Sequence, residues 1–284
     1  MLPGMLPLQS TWIPPMTMLA KRIATAIVLL AACVGGLWFA PRWLWTLAVA
    51  AVFVVGAVEW ARLTALARLP TLVFCAVVGV SVAVQGLVGL GPGWLVPAWM
   101  LAVVVWIGVV PLFLAGQASS LAGSMLVGWI VLAPAGAALA WLGAAPGLLL
   151  SLLAIVWIAD TAAFFCGRRF GRHKLAPSIS PGKTWEGVAG GLLAVVVYVA
   201  VLQFTGVSAV GPLAGWAGWP LALLIAALSV VGDLFESAIK RRAGAKDSGT
   251  LLPGHGGVLD RIDGLTSTLP VAALAVYVYL SHWW

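Results

Sequence analysis

Runs of about 20 predominantly apolar residues, the length a helix needs to cross a bilayer, recur nine times along this chain and leave little room for any other plan. They cover roughly 22–40, 43–60, 71–90, 94–114, 121–142, 146–166, 187–206, 219–239 and 264–282, with breaks at Pro, Gly and clustered charge. The runs are continuous and do not alternate, which suits helices and disfavours a β-barrel. Charged residues make up 8% of the 284, against roughly 25% in a soluble domain, so most of the surface must face something other than water. The expected fold class is all-α: a polytopic integral membrane protein of about nine transmembrane helices. The first 20 residues carry no Lys or Arg and so lack the basic start of a signal peptide. Met5, Met16 and Met18 leave the start methionine open.

Orientation follows from the basic residues. With a cytoplasmic N-terminus, 14 of the 15 Lys and Arg fall in internal segments: Lys21, Arg22, Arg62, Arg68, Arg168, Arg169, Arg172, Lys174, Lys183, Lys240, Arg241, Arg242, Lys246 and Arg261, with Arg42 alone outside. Positive cytoplasmic loops and anionic headgroups account for the net charge of +7, and nucleic acid is not an expected partner. Cys33, Cys75 and Cys166 are far apart and read as small apolar residues. Acids are unevenly spread: Glu59 is alone before residue 150, and seven follow it. Residues 1–145 therefore read as a transmembrane scaffold of about five spans. Residues 146–284 read as a catalytic region of about four, with cytoplasmic loops at 167–187 and 240–263.

The polar residues fall into a few groups. Asp160 lies inside the sixth run, where an acid costs roughly 2.5–3.5 kcal/mol; it either pairs with Arg168 or Arg169 or supports a cation or phosphate site. In the loop 167–187, Ser178, Ser180, Lys183 and Thr184 precede a helix start, a setting that cradles anions. Glu186 either caps that helix or serves substrate. His173 among arginines reads as a headgroup contact. Asp233, Glu236, Ser237 and Lys240 share one helical stripe. Asp260 and Asp263, three apart, should present their carboxylates together. With Asp233 they form an oxygen-rich set suited to Mg²⁺, and zinc is disfavoured. His255 sits between glycines that allow backbone to approach a ligand.

At these residues the chain resembles the phosphatidate cytidylyltransferases, also called CDP-diacylglycerol synthases. Their C-terminal signature, S-x-x-K-R, four residues, K-D, then H-G-G-x-x-D-R-x-D, is matched by Ser237, Lys240, Arg241, Lys246, Asp247, His255, Gly256, Gly257, Asp260, Arg261 and Asp263. The likeness extends upstream to GDLFES, SISPGKTWEG and DTAAFFCGRRFG, over roughly the last 125 residues. The resemblance implies transfer of CMP from CTP to phosphatidic acid, giving CDP-diacylglycerol and pyrophosphate, with Mg²⁺ and in some members K⁺. It implies metal binding by Asp233, Asp260 and Asp263, and charge neutralisation by Lys240, Arg241, Lys246 and Arg261. It further implies substrate contacts from Ser178, Ser180, Lys183, Thr184, Glu186 and Ser237, orientation by His255 and support from Asp160. The expected partners are the two substrates, the bilayer and a second copy of the chain, at the inner membrane with the site facing the cytoplasm. The rivals are a CTP-dependent polyprenol or phytol kinase, a CDP-alcohol phosphotransferase and a cation transporter.

Overall fold

A computed structural model describes residues 18–87, 92–115, 125–206, 208–251 and 256–281. Among them are helices α1 (Met18–Phe39), α2 (Arg42–Leu63), α3 (Arg68–Leu87), α4 (Pro92–Leu114), α5 (Met125–Leu142), α6 (Pro146–Phe170), α7 (Trp185–Thr205), α8 (Gly218–Arg242) and α9 (Leu259–Ser281). Seven of these, α2 and α4 to α9, are long and apolar enough to cross a membrane, and α1 and α3 carry shorter apolar stretches at Leu30–Phe39 and Arg68–Val84. The protein is a multi-pass, predominantly helical membrane protein, as its apolar runs require.

The helix ends depart from the apolar limits, and the departures matter for the site. α6 continues through Arg168 and Arg169, α8 through Lys240, Arg241 and Arg242, and α9 begins at Leu259, so Asp260 lies in its first turn. Hydropathy marks where a helix meets water, whereas backbone hydrogen bonding carries the helix beyond that point. The expected loop before α7 is instead an antiparallel hairpin of β1 (Lys174–Ala176) and β2 (Ser180–Thr184), pairing Lys174 with Thr184 and Ala176 with Ser180. Most of the connector 115–120 lies outside the described residues.

α4 is irregular for an identifiable reason. It opens as 3₁₀ over Pro92–Leu95 and widens to one π turn over Val105–Val109, where the Val110 N–H reaches back to the Val105 carbonyl. Pro111 lacks an N–H and its ring crowds the carbonyl four residues earlier, which a local widening relieves.

Lipid offers no hydrophobic drive between helices, so contact depends on close packing of small residues. α5 is buried around most of its circumference and runs through the middle of the bundle. A Cβ on its Gly128 would lie 2.5 Å from the Trp60 indole nitrogen, and one on Gly136 would lie 2.6 Å from Val82. α6 and α7 pack through Ala159, Ala163 and Gly167 against Gly187 and Gly191. A Cβ on Gly187 or Gly191 would sit 2.8 Å from the carbonyl oxygen of Ala163 or Ala159. On α8, Phe235 anchors an aromatic group, with ring centres 6.1 Å from Trp60, 5.4 Å from Trp106 and 5.3 Å from Phe113. Arg242 lies 4.0 Å over the Phe113 ring.

The α6–α7 contact sets a stability test. Gly191→Leu forces its side chain into the Ala159 backbone and should lower the unfolding free energy in detergent by roughly 1–3 kcal/mol. Gly108→Ala, whose Cβ meets nothing within 4 Å, should change it by less than about 0.5 kcal/mol. Thermal unfolding of both variants checks the contrast.

Candidate active site

The alternating direction of the helices brings several charged ends to one face of the bundle. The end of α2 meets the start of α9 through Glu59, the end of α8 meets the start of α9 through Lys240, and the end of α6 meets the start of α7 through Thr184. At the opposite face the start of α2 meets the end of α5, where the Trp45 indole donates to the Leu139 carbonyl at 3.4 Å. Arg42 is at that far end, whereas Asp160, the hairpin, the end of α8 and the start of α9 share the charged one.

The hairpin is held by its own sequence. Thr184 is buried and caps α7, its hydroxyl accepting from the Gly187 N–H at 3.1 Å. Gly171 and Gly167 leave room for it, since a Cβ there would lie 2.7 or 3.0 Å from the Thr184 side chain. Glu186 turns back to accept from the Arg172 N–H at 3.1 Å and the His173 N–H at 3.2 Å, with the His173 ring Nδ1 at 2.6 Å. Glu186, expected to cap α7 or to serve substrate, instead ties the chain ahead of β1 to the first turn of α7. His173 is engaged with Glu186 rather than standing free. Arg241 ties the hairpin to α8 by donating to the Ile179 carbonyl at 3.3 Å.

Lys183 leaves the hairpin toward α8 and forms an ion pair with Asp233 at 2.6 Å. The Ser237 hydroxyl donates to the same carboxylate at 3.3 Å. Asp160 and Asp263 complete this neighbourhood: Asp160 interacts electrostatically with Lys183 and Asp233, and Asp263 with Asp233 and Asp160. Ser180 is half-buried and Ser178 exposed on the hairpin turn.

A second, more buried group lies alongside. The Lys240 ammonium sits between Glu236, at 2.8 Å, and Asp260. The other Asp260 oxygen accepts from the Ser248 N–H at 2.9 Å, the Ser248 hydroxyl at 3.0 Å and the Gly257 N–H at 2.8 Å. The expected side-by-side presentation of Asp260 and Asp263 is therefore not what forms. Residues three apart on a helix differ by about 60° in direction, enough to aim Asp260 at Lys240 and Ser248 while Asp263 looks toward Asp233. Lys240, expected at the triphosphate, is buried between two carboxylates.

The glycines of the signature also find a different use. Gly256 has a φ of +79°, and a Cβ there would lie 2.6 Å from the Asp260 carboxylate. The backbone approaches the protein's own acids. His255 lies outside the described residues. Lys246 and Arg261 are exposed, free to meet a soluble anion.

Glu59 was the residue hidden from sequence reasoning. It is 3% exposed and accepts from the Ser248 hydroxyl at 2.8 Å, the Leu259 N–H at 2.7 Å and the Val258 N–H at 3.0 Å. The expected division at residue 145 is thus crossed by an acid from the first half, reaching the start of α9. Its one signal in the sequence was its isolation: an acid at the end of an apolar run with no neighbouring acid.

Five carboxylates (Asp160, Asp233, Glu236, Asp260 and Asp263) share this end with two ammonium groups, Lys183 and Lys240. One buried carboxylate oxygen, Glu236 Oε1, has no hydrogen-bond partner. Hard oxygen donors with a surplus of negative charge fit a divalent cation such as Mg²⁺. Among the described residues no three His, Cys, Asp or Glu converge closely enough to hold a metal ion, so the acids stand as two adjoining groups and not as a closed cage.

Comparison with known proteins agrees with this chemistry. Residues 20–279 match the Cytidylyltransferase family. The phosphatidate cytidylyltransferase of Pseudomonas aeruginosa is 41% identical over 274 residues, spanning 92% of this chain and 97% of that protein. Those of Haemophilus influenzae and Thermotoga maritima are 50% and 46% identical over 124 and 125 residues, each 43% of this chain and 43% and 46% of their own lengths.

The two lysines should respond differently to removal. Lys240→Ala strands two buried carboxylates and should cost about 3–5 kcal/mol of stability. Lys183→Ala breaks a half-exposed pair and should cost less than about 1 kcal/mol. Unfolding of the purified variants in detergent measures both.

Proposed function

The chain belongs to the cytidylyltransferase family, and from that premise we infer that it transfers CMP from CTP to phosphatidic acid, forming CDP-diacylglycerol and pyrophosphate. The observation that carries this reading is the location of the charge. Lysines, arginines and carboxylates gather at one end of a membrane bundle, where a lipid phosphate and a soluble nucleotide can meet.

The reaction makes modest demands on the protein. A phosphate oxygen of phosphatidic acid attacks the α-phosphorus of CTP, a new P–O bond forms, and the bond from that phosphorus to the oxygen bridging to the β-phosphate breaks. Pyrophosphate leaves with the electron pair. The nucleophile is already an anion, so no strong general base is needed, and catalysis consists of positioning and charge neutralisation. Lys183 on the hairpin, with Ser178 and Ser180 beside it, binds a substrate phosphate. Arg241, Lys246 and Arg261 offset the charge of the triphosphate and the departing pyrophosphate, and His255 orients the substrate. Thr184 and Glu186 fix the hairpin that carries Lys183, and Ser237 steadies Asp233.

Asp233 and Asp263, supported by Asp160, would hold Mg²⁺, with K⁺ as a second ion, whereas Asp260, its oxygens taken by Lys240, Ser248 and Gly257, serves the site by holding Lys240. When bound, the cation neutralises phosphate charge and polarises the reacting phosphorus. The site faces the cytoplasm at the inner membrane, supported by the 14-to-1 partition of basic residues. Assembly as a homodimer belongs to the same proposal.

Purified protein given CTP, phosphatidic acid and Mg²⁺ should release pyrophosphate in step with a lipid-soluble cytidine product. Asp263→Asn should slow turnover roughly 100-fold or more. Release of CDP with phosphorylation of a lipid alcohol would identify a kinase and contradict the assignment.

A further inference from the structure

Glu59 has more partners than a simple helix cap requires. Its carboxylate accepts the two N–H groups at the start of α9, 199 and 200 residues on in the chain, where the positive end of the helix dipole favours an anion. It also accepts the Ser248 hydroxyl at 2.8 Å. That hydroxyl has one proton and two acids to serve, since Asp260 Oδ2 lies 3.0 Å from it on the other side, and it accepts in turn from the Asp260 N–H at 3.3 Å. Two glycines make way for this arrangement. A Cβ on Gly249 would lie 2.5 Å from Glu59 Oε1, and one on Gly257 would overlap both Ser248 Oγ and Glu59 Oε2. Segments from α2, the 248–249 turn and the start of α9 are therefore shaped around one carboxylate.

We propose that Glu59 is a positioning residue for cytidylyl transfer, acting through the Ser248 hydroxyl to set the place of Asp260 and, through Asp260, of Lys240. The proposal rests on the function inferred above. Glu59 faces donors on every side the structure records: one hydroxyl and two backbone N–H groups. An acceptor-only group satisfies all three, whereas a glutamine amide would turn an N–H₂ toward at least one of them. The one hydroxyl proton, shared between Glu59 Oε2 and Asp260 Oδ2, ties the two acids together while Asp260 Oδ1 receives Lys240, so the line Glu59–Ser248–Asp260–Lys240–Glu236 links the first half of the chain to the site. A residue acting only as a cap would need the N–H groups alone, and Ser248 would be dispensable.

The test is a double-mutant cycle on purified protein, with kcat and the KM for CTP measured for wild type, Glu59→Gln, Ser248→Ala and the pair. Ser248→Ala leaves the helix cap and both backbone bonds to Asp260 in place, so it separates positioning from folding. Each single change should lower kcat roughly 10- to 100-fold, with KM moved less than about threefold. The double variant should be no slower than the slower single, because both act along one line. An unchanged kcat for Ser248→Ala, losses that multiply in the pair, or a fall in kcat matched by an equal loss of folded protein would each overturn the proposal while wild type remained active. A wild type that makes no CTP-dependent lipid product overturns the functional reading, and this proposal with it.

Discussion

The burial of Lys240 between Glu236 and Asp260 is the constraint around which the rest is arranged. A lysine buried to 9% exposure near a membrane face is tolerable only when its ammonium is paired and hydrogen-bonded. Its pairing fixes the end of α8 against the start of α9. Asp260 can serve Lys240 only because Ser248 and Gly257 hold its other oxygen, and Gly256 must adopt a left-handed backbone to let the chain turn there. The stability of the charged end and the chemistry assigned to it rest on the same side chains.

The half-exposed Lys183–Asp233 pair depends on a different device. Small residues on α6 and α7 let the two helices touch closely, and that contact places Thr184 and the hairpin above α8. Arg241 fastens the hairpin turn from the other side. Lys183 thereby reaches Asp233 from a strand, a rigid support in a part of the chain where a flexible loop would have left the lysine free. One face thus combines a buried ion cluster, closed on Lys240, with an adjoining, more open one. The open cluster is the part suited to phosphate.

Much of this was legible in the sequence, and the limits have physical causes. Apolar runs near 20 residues located the helices, because water and lipid impose that length. The helical stripe through Lys240 was expected and forms, but the pairing of Lys240 with Asp260 across the ends of α8 and α9 was not, because it depends on how the two helices meet. The resemblance at Ser237–Asp263 pointed to the correct family, and one-dimensional spacing placed Asp233 and Ser237 together. Spacing could not foresee that Asp260 and Asp263 diverge, since that depends on which neighbouring helix each one meets. Glu59 stood out only by its isolation, and its role was hidden because its partners lie about 200 residues away, a contact that no local pattern carries. The hairpin was missed because a five-residue strand containing Pro and Gly has no periodicity to read.

Everything assigned to this charged end requires it to bind CTP together with a divalent cation. Equilibrium binding of CTP to the detergent-solubilised protein, without phosphatidic acid, tests it most directly, with and without Mg²⁺ and in Asp233→Asn. Binding should be saturable, strengthen with Mg²⁺ and lose that dependence when Asp233 is neutralised. CTP binding indifferent to both the metal and the substitution would contradict it.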